Sequence, residues 1–274
     1  MKIALIGAGG KMGVRLAKNL QDSRYEIAPV EVSEPGIERL KAETGLECLP
    51  LEQALKGADA VILAVPDTAI GTVSRQIINK IGSGAIVVIL DAAAPYAGHL
   101  PARDDITYFV THPCHPPIFN DETDPVAKRD FFGGLAAAQS IVSALLQGPE
   151  EHYVIGEDIA KTIFKPILRS HRVNLEGMAL LEPGLSETVC ATLLVVMKEA
   201  MDEVVRRGVD HDAARDFLLG HMNVLASVIM EENKGVFSDA CNKAIEFGKP
   251  RLMRDDWIGV FDPEEIAEST KRIT

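Results

Sequence analysis

The sequence predicts an α/β protein: a Rossmann-type doubly wound parallel sheet followed by an all-helical C-terminal domain. Three observations lead there. Short apolar runs alternate with helix-spaced stretches through the first half, the pattern of parallel strands joined by helical crossovers. A glycine-rich turn stands between the first run and the first helix-like stretch. Beyond Gly177 strand signals stop and three long helical segments take over. The expected division is a cofactor-binding domain over 1–176 and a helical substrate and dimerisation domain over 177–274.

The elements follow in order. Lys2–Ile6, Ile27–Glu31, Ala60–Val65 and Ala85–Asp91 are rich in Ile, Val and Ala. Their apolar character is continuous, as in strands covered on both faces. Between them, Gly13–Leu20, Gly36–Thr44 and Ala69–Ile81 carry helical spacing. Thr107–Thr111, Ser140–Leu146 and Arg172–Asn174 continue the strands, with a helix expected at Glu157–Leu168. The helical half comprises Leu185–Arg207, Asp212–Glu231 and Phe237–Phe247. Within it, Val189–Met197 is apolar around the whole circumference, and such a helix must be buried on every side. A helical domain of this size has few such positions, so a second subunit is expected to cover it and form a homodimer. A central helix wrapped by its own neighbours is the alternative.

Composition narrows the function. The 274 residues carry 40 acidic and 28 basic side chains, a net charge of −12, and 47% of them are apolar. That apolar content supports real cores and excludes disorder. No excess of basic charge is available to neutralise phosphates, which argues against a nucleic-acid partner. The longest apolar runs, such as Ala60–Val65 and Ala85–Leu90, are strand-sized, and no membrane span is expected. Cys48, Cys114, Cys190 and Cys241 lie far apart with no CxxC pair, which fits reduced thiols and a cytoplasmic location.

The turn after the first strand reads Gly7-Ala8-Gly9-Gly10-Lys11-Met12-Gly13 and opens a helix. Glycines there permit a tight turn and close approach of backbone to a pyrophosphate, which gains from the helix N-terminus. Glu31 ends the second strand, eighteen positions beyond Gly13, placed to accept hydrogen bonds from an adenosine ribose. A carboxylate repels the extra phosphate of NADP, so NAD is the expected cofactor. The spacing G-x-G-G-x-x-G departs from strict G-x-G-x-x-G and implies a slightly longer loop. Asp67 and Asp91 each end a strand run, where open α/β sheets bind ligands, although each also suits a helix N-cap.

The glycine loop, the Leu63-Ala64-Val65-Pro66-Asp67 turn and the switch to helices resemble the β-hydroxyacid and phosphogluconate dehydrogenase-like enzymes. Within that superfamily, Thr111-His112-Pro113-Cys114-His115-Pro116-Pro117 and Leu181-Glu182-Pro183-Gly184-Leu185-Ser186-Glu187-Thr188 resemble the D-apionate oxidoisomerase family. The resemblance implies an NAD-dependent oxidation of a branched sugar acid with rearrangement to 3-oxo-isoapionate, using a bound zinc or another divalent cation. It also implies that Gly10, Lys11, Met12, Glu31 and Asp67 contact NAD, and that His115 and Glu187 ligate the metal.

The chemistry is coherent with those residue types. Moving a substituent between neighbouring carbons gains from a cation that chelates adjacent oxygens, and zinc accepts imidazole and carboxylate. His112, Cys114 and His221 are candidate third ligands, and His112 is the expected base if His115 holds the metal. The superfamily often uses a lysine on its long helix, but none stands between Glu187 and Met197, and Lys198 comes too late. Two basic groups, Lys165, Arg169, His171 and Arg172, and Lys249, Arg251 and Arg254, are candidates for the substrate carboxylate. A plain NAD(P)-dependent dehydrogenase of the β-hydroxyacid or prephenate type, and a non-catalytic dinucleotide sensor, are the competing functions.

Overall fold

The computed structural model describes residues 1–274 and divides them into two compact units, Met1–Glu182 with Ala267–Thr274, and Pro183–Ile266. In the first unit, β1 (Lys2–Ile6), α1 (Lys11–Gln21), β2 (Glu26–Val30) and α2 (Glu34–Thr44) open the chain. There follow α3 (Leu51–Leu55), β3 (Ala60–Leu63), α4 (Asp67–Ile77), β4 (Ile86–Ile89), α5 (Ala93–Tyr96) and β5 (Thr107–Pro113). Next come β6 (Gln139–Gln147), α6 (Glu151–Ile163), β7 (Ile167–Arg172) and α7 (Leu175–Ala179). The seven strands form one sheet in the order β2-β1-β3-β4-β5-β6-β7. Strand alternation divides the core between its faces. Ile3 and Leu5 pack with α1 and α6 residues such as Leu16, Leu20 and Ile163, while Ala4 and Ile6 pack with Ile70 and Ile77 of α4.

The sheet departs from the all-parallel expectation at one pairing. β6 runs antiparallel to β5, with His112 opposite Val142 and Pro113 opposite Ile141. A parallel pair needs a crossover, usually a helix. The 114–138 connection contains only one short 3-10 turn, at Ala127–Arg129, and returns the chain antiparallel. The helix expected at Glu157–Leu168 instead spans Glu151–Ile163. Pro166 lies just beyond it and cannot continue the helical hydrogen bonds. The last strand falls correspondingly earlier, at Ile167–Arg172, rather than at Arg172–Asn174.

A wide π-helical segment, Leu180–Ala191, follows α7 and contains Pro183. Proline removes a helical donor and crowds the preceding turn, a local reason for the widened bonding. Glu187 therefore lies in the middle of a helical segment and not in the first turn of an apolar helix, as the sequence reading placed it. Then come α8 (Thr192–Arg206), α9 (His211–Ile229), α10 (Asp239–Leu252) and α11 (Pro263–Ile273). Asp210 caps α9 by accepting from the Ala213 N–H at 3.0 Å. Only Met201 of α8 and Ala214 of α9 are buried, and none of α10. Leu194 and Val195, on the stretch expected to be buried all round, are 45% and 57% exposed. The chain's own neighbours do not wrap that helix.

Candidate active site

The glycine loop is built by close backbone contacts. Gly7 has φ 81°, the left-handed region that glycine adopts without strain. The amides of Gly7 and Ala8 donate to the Val30 carbonyl at 2.9 and 3.0 Å, tying the turn to the end of β2. A Cβ on Gly13 would stand 2.1 Å from the Gly7 oxygen, and one on Gly9 would stand 2.3 Å from the Gly36 oxygen. Gly10 is the N-cap of α1 and offers no side chain, and the first turn, with Lys11 and Met12, holds no acidic residue. The positive end of the helix dipole is thus left to an anionic ligand.

Glu31 stands at the end of β2. Its Oε2 accepts from the Gly9 amide at 3.0 Å, and its Oε1 accepts from Val32 and Ser33 at 2.8 and 3.0 Å. Burial pushes this carboxyl up, but the three backbone donors outweigh it and hold it below its ordinary range. Glu31 is ionised at neutral pH. Arg39 donates to the Gly9 carbonyl at 2.6 Å, so both ends of the loop peptide are fixed.

The carboxyl ends of β3, β4 and β5 bring together a second group. Asp67 is the first residue of α4, after Pro66, and its side chain does not cap the helix. Burial, followed by the Asp91 charge, pushes its carboxyl up to about 6. Asp91, just beyond β4, accepts from the Ala93 amide at 2.5 Å, and burial followed by Glu182 pushes it up to about 7. His112, near the end of β5, meets Glu182 at 2.7 Å between Nε2 and Oε1. Burial lowers the basicity of His112, but Glu182, Asp91 and a hydrogen bond to the Pro113 backbone together raise it above the ordinary value. The Glu182 carboxylate thus pairs with His112, the base expected from the sequence, and strengthens its hold on a proton.

His115 differs. It has φ 59°, in the left-handed region where a non-glycine residue is strained, and it stands among the prolines of the loop. Its Nδ1 bonds the Phe132 carbonyl at 2.9 Å. A carbonyl only accepts, so Nδ1 carries the hydrogen and Nε2 keeps its lone pair in the neutral ring. Burial, aided by repulsion from His112 and Arg15, lowers its basicity further. That tautomer suits a base or a metal ligand.

The other expected residues scatter. Glu187 belongs to the Pro183–Ile266 unit. His221 lies on α9, stacked on Phe217 with ring centroids 4.0 Å apart. Cys114 is exposed on the loop after β5. Arg172 pairs with Glu150 and covers the Tyr153 ring, Arg254 pairs with Asp256, and Arg251 lies over Phe247. Glu182 is the residue that sequence reasoning passed over. Its signal was a carboxylate in an apolar stretch five positions before Glu187.

Family models match both parts of the chain. Residues 2–97 match the NAD binding domain of 6-phosphogluconate dehydrogenase, and residues 120–274 match the phosphogluconate dehydrogenase (decarboxylating) C-terminal domain. The fold and the glycine loop thus define a 6-phosphogluconate dehydrogenase-like, NAD-dependent oxidoreductase. A D-apionate oxidoisomerase of Rhizobium rhizogenes is 69% identical over 272 residues, covering 99% of each chain. Another from Cupriavidus necator is 70% identical over 273 residues, covering 100% of this chain and 99% of the relative. The chain belongs to the D-apionate oxidoisomerase family. A solved Cupriavidus necator structure, described as a semialdehyde dehydrogenase NAD-binding protein in complex with calcium and NAD, superposes with a TM-score of 0.98. It is 70% identical and covers 100% of this chain and 99% of its own.

Proposed function

We propose that this protein oxidises a branched sugar acid, D-apionate, with NAD and rearranges its carbon skeleton to 3-oxo-isoapionate, aided by a divalent cation. The observation that carries the reading is an NAD-type glycine loop together with a half-buried histidine and carboxylate cluster, both at the carboxyl ends of the central strands. Gly7, Gly9, Gly10, Lys11, Met12, Gly13 and Glu31 hold the dinucleotide, with Asp67 beside it. The family names and the NAD and calcium of the similar structure support the same assignment. Zinc is the cation expected from the imidazole and carboxylate donors.

Oxidation moves a hydride from the carbinol carbon to NAD and the hydroxyl proton to a base. His115 is the side chain whose Nε2 lone pair is available for that proton. A bound cation would polarise the neighbouring oxygens for the substituent shift. NADH formation with D-apionate, followed by analysis of the product skeleton, tests the proposal. An unrearranged keto acid would leave a plain dehydrogenase, and NAD binding without turnover would leave a sensor. His115→Gln is expected to lower kcat by about 100-fold or more while the protein still binds NAD. Retained kcat in that variant would remove His115 from the proton transfer. The exposed apolar residues of α8 and α9 support a homodimer, and the four free cysteines support a cytoplasmic location.

A further inference from the structure

We propose that Arg15 of α1 is a positioning residue, which aims the His115 ring through the Asp130–Gly134 turn. The inference deepens the reading above and rests on the use of the His115 Nε2 atom there. Whether that atom takes the proton or binds the cation, it must point at one place. The Phe132 carbonyl does the aiming, because its bond to Nδ1 at 2.9 Å fixes the tautomer and the direction of the ring. Phe132 lies in no helix or strand, so its carbonyl needs another hold. Arg15 supplies it. Its Nη1 donates to Asp130 Oδ1 at 2.9 Å and to the Gly133 carbonyl, partners that bracket Phe132 in the chain.

The same helix carries the cofactor end. Asn19, one turn beyond Arg15 and on the same face, donates to the Gly134 carbonyl at 2.7 Å. Arg15 stands about 6 Å along the axis from Lys11, at 1.5 Å per residue, so the pyrophosphate site and the turn share one rigid element. Lys11, Met12, Arg15 and Phe132 also line one pocket. Two further features set the arrangement apart from an ordinary ion pair. The Phe132 ring is 65% exposed and adds little to a core, yet it stands edge-on to the His115 ring at 6.1 Å. The Arg15 guanidinium lies 5.6 Å from the centre of that ring. His115 itself holds φ 59°, a backbone that persists only where its surroundings impose it.

The test compares full-length variants turning over D-apionate with NAD. Arg15→Met should lower kcat by about 10- to 100-fold and leave KM for NAD within about threefold of wild type. Arg15→Lys should restore kcat to within about threefold, because a single nitrogen makes both bonds and an ammonium can replace it. Lys18→Met, which breaks a surface pair with Glu43 on the same helix, should keep the wild-type kcat. Nitrogen NMR of metal-free protein with isotope-labelled histidine reads the aim directly. The His115 signal, assigned by its loss in His115→Gln, should show Nδ1–H alone in the wild type and both tautomers in Arg15→Met. If Arg15→Met does not fold, Asp130→Asn takes its place with the same expected outcome. Its amide keeps an oxygen for the three backbone donors and turns an NH2 against Arg15. Wild-type kcat and tautomer in the variant that folds, with only Tm lowered, would make the pair a structural anchor and overturn the inference. Wild-type kcat in His115→Gln would overturn the role of His115 itself, a separate and distinguishable result.

Discussion

Asp130, which is buried, and Asp67, which is half-buried, show how the same side chain responds to opposite surroundings. Asp130, with 4% of its side chain exposed, pairs with Arg15 at 2.9 Å and accepts from the amides of Leu135, Ala136 and Ala137. Burial pushes its carboxyl up, but the Ala136 amide, Arg15 and the other amides outweigh that and hold it below the usual range. The folded state therefore favours ionised Asp130, and this stability is present above the unfolded pKa and lost as pH falls through the lower folded value. Asp130→Ala should destabilise the first unit by about 3 kcal/mol at pH 7, with a smaller difference near pH 3, read by urea unfolding. An equal difference at both pH values would contradict it. Asp67, raised to about 6, has the opposite sign. The folded protein binds its proton more tightly than the unfolded chain, so stability falls as pH rises from the ordinary carboxylate range through 6. Asp67→Asn should flatten that part of the pH–stability curve and raise Tm at pH 7.5. Glu31 was legible in the sequence because its position relative to the glycines is a matter of spacing. Glu182 was not, because its partner His112 is seventy residues away in the chain, and only folding makes them neighbours.

At the scale of elements, local pattern was enough for β1, α1, β2, α2, β3 and α4, passed over the five-residue α3, and failed where tertiary contact decides. The apolar runs of β1, β3 and β4 are buried throughout their central residues, which is why their sequences announce them. β7, at the edge of the sheet, has no fully buried residue and carries a weaker signal. α11 was missed although Pro263 with Glu264 and Glu265 opens it and Lys271 and Arg272 close it, the charge order a helix dipole favours. The antiparallel turn into β6 has no local signature, since strand direction is set by the connection and not by composition. The glycine loop gives the sharpest test at this scale. Gly13→Ala places a methyl 2.1 Å from the Gly7 oxygen and must move α1 away from β1. NAD affinity should fall by about 10-fold or more, because the amides that face the pyrophosphate shift with the helix. Gly82→Ala, where an added Cβ meets nothing within 4 Å, should leave NAD affinity at the wild-type value in the same calorimetric titration.

The whole molecule poses a packing problem that the single chain does not solve. The second unit is made of long helices, yet α8 and α9 bury one residue each and α10 none. Leu194, Val195, Phe217 and Ile229 are all more than two-fifths exposed. Helices in water draw their stability from burying an apolar face, and a unit with so little buried area is marginal alone. The stretch Leu175–Arg206 is also long and apolar enough to cross a membrane by length and composition, with a mean hydropathy of 1.5 in its most apolar window. We propose a second copy of the chain as the cover. The stretch is interrupted by Glu176, Glu182 and Glu187, and α9 brings a second exposed apolar surface with charged residues between. A self-complementary contact also closes after two subunits. Light scattering on the purified protein in detergent-free buffer should give twice the chain mass of 29.6 kDa at micromolar concentration. Val195→Glu together with Phe217→Glu should shift the mass towards one chain and lower Tm, because charges would replace apolar contacts at the centre of the interface. A wild-type protein that runs as a monomer under these conditions contradicts the dimer. One that stays with vesicles after a high-salt wash would instead assign the apolar helices to a lipid surface.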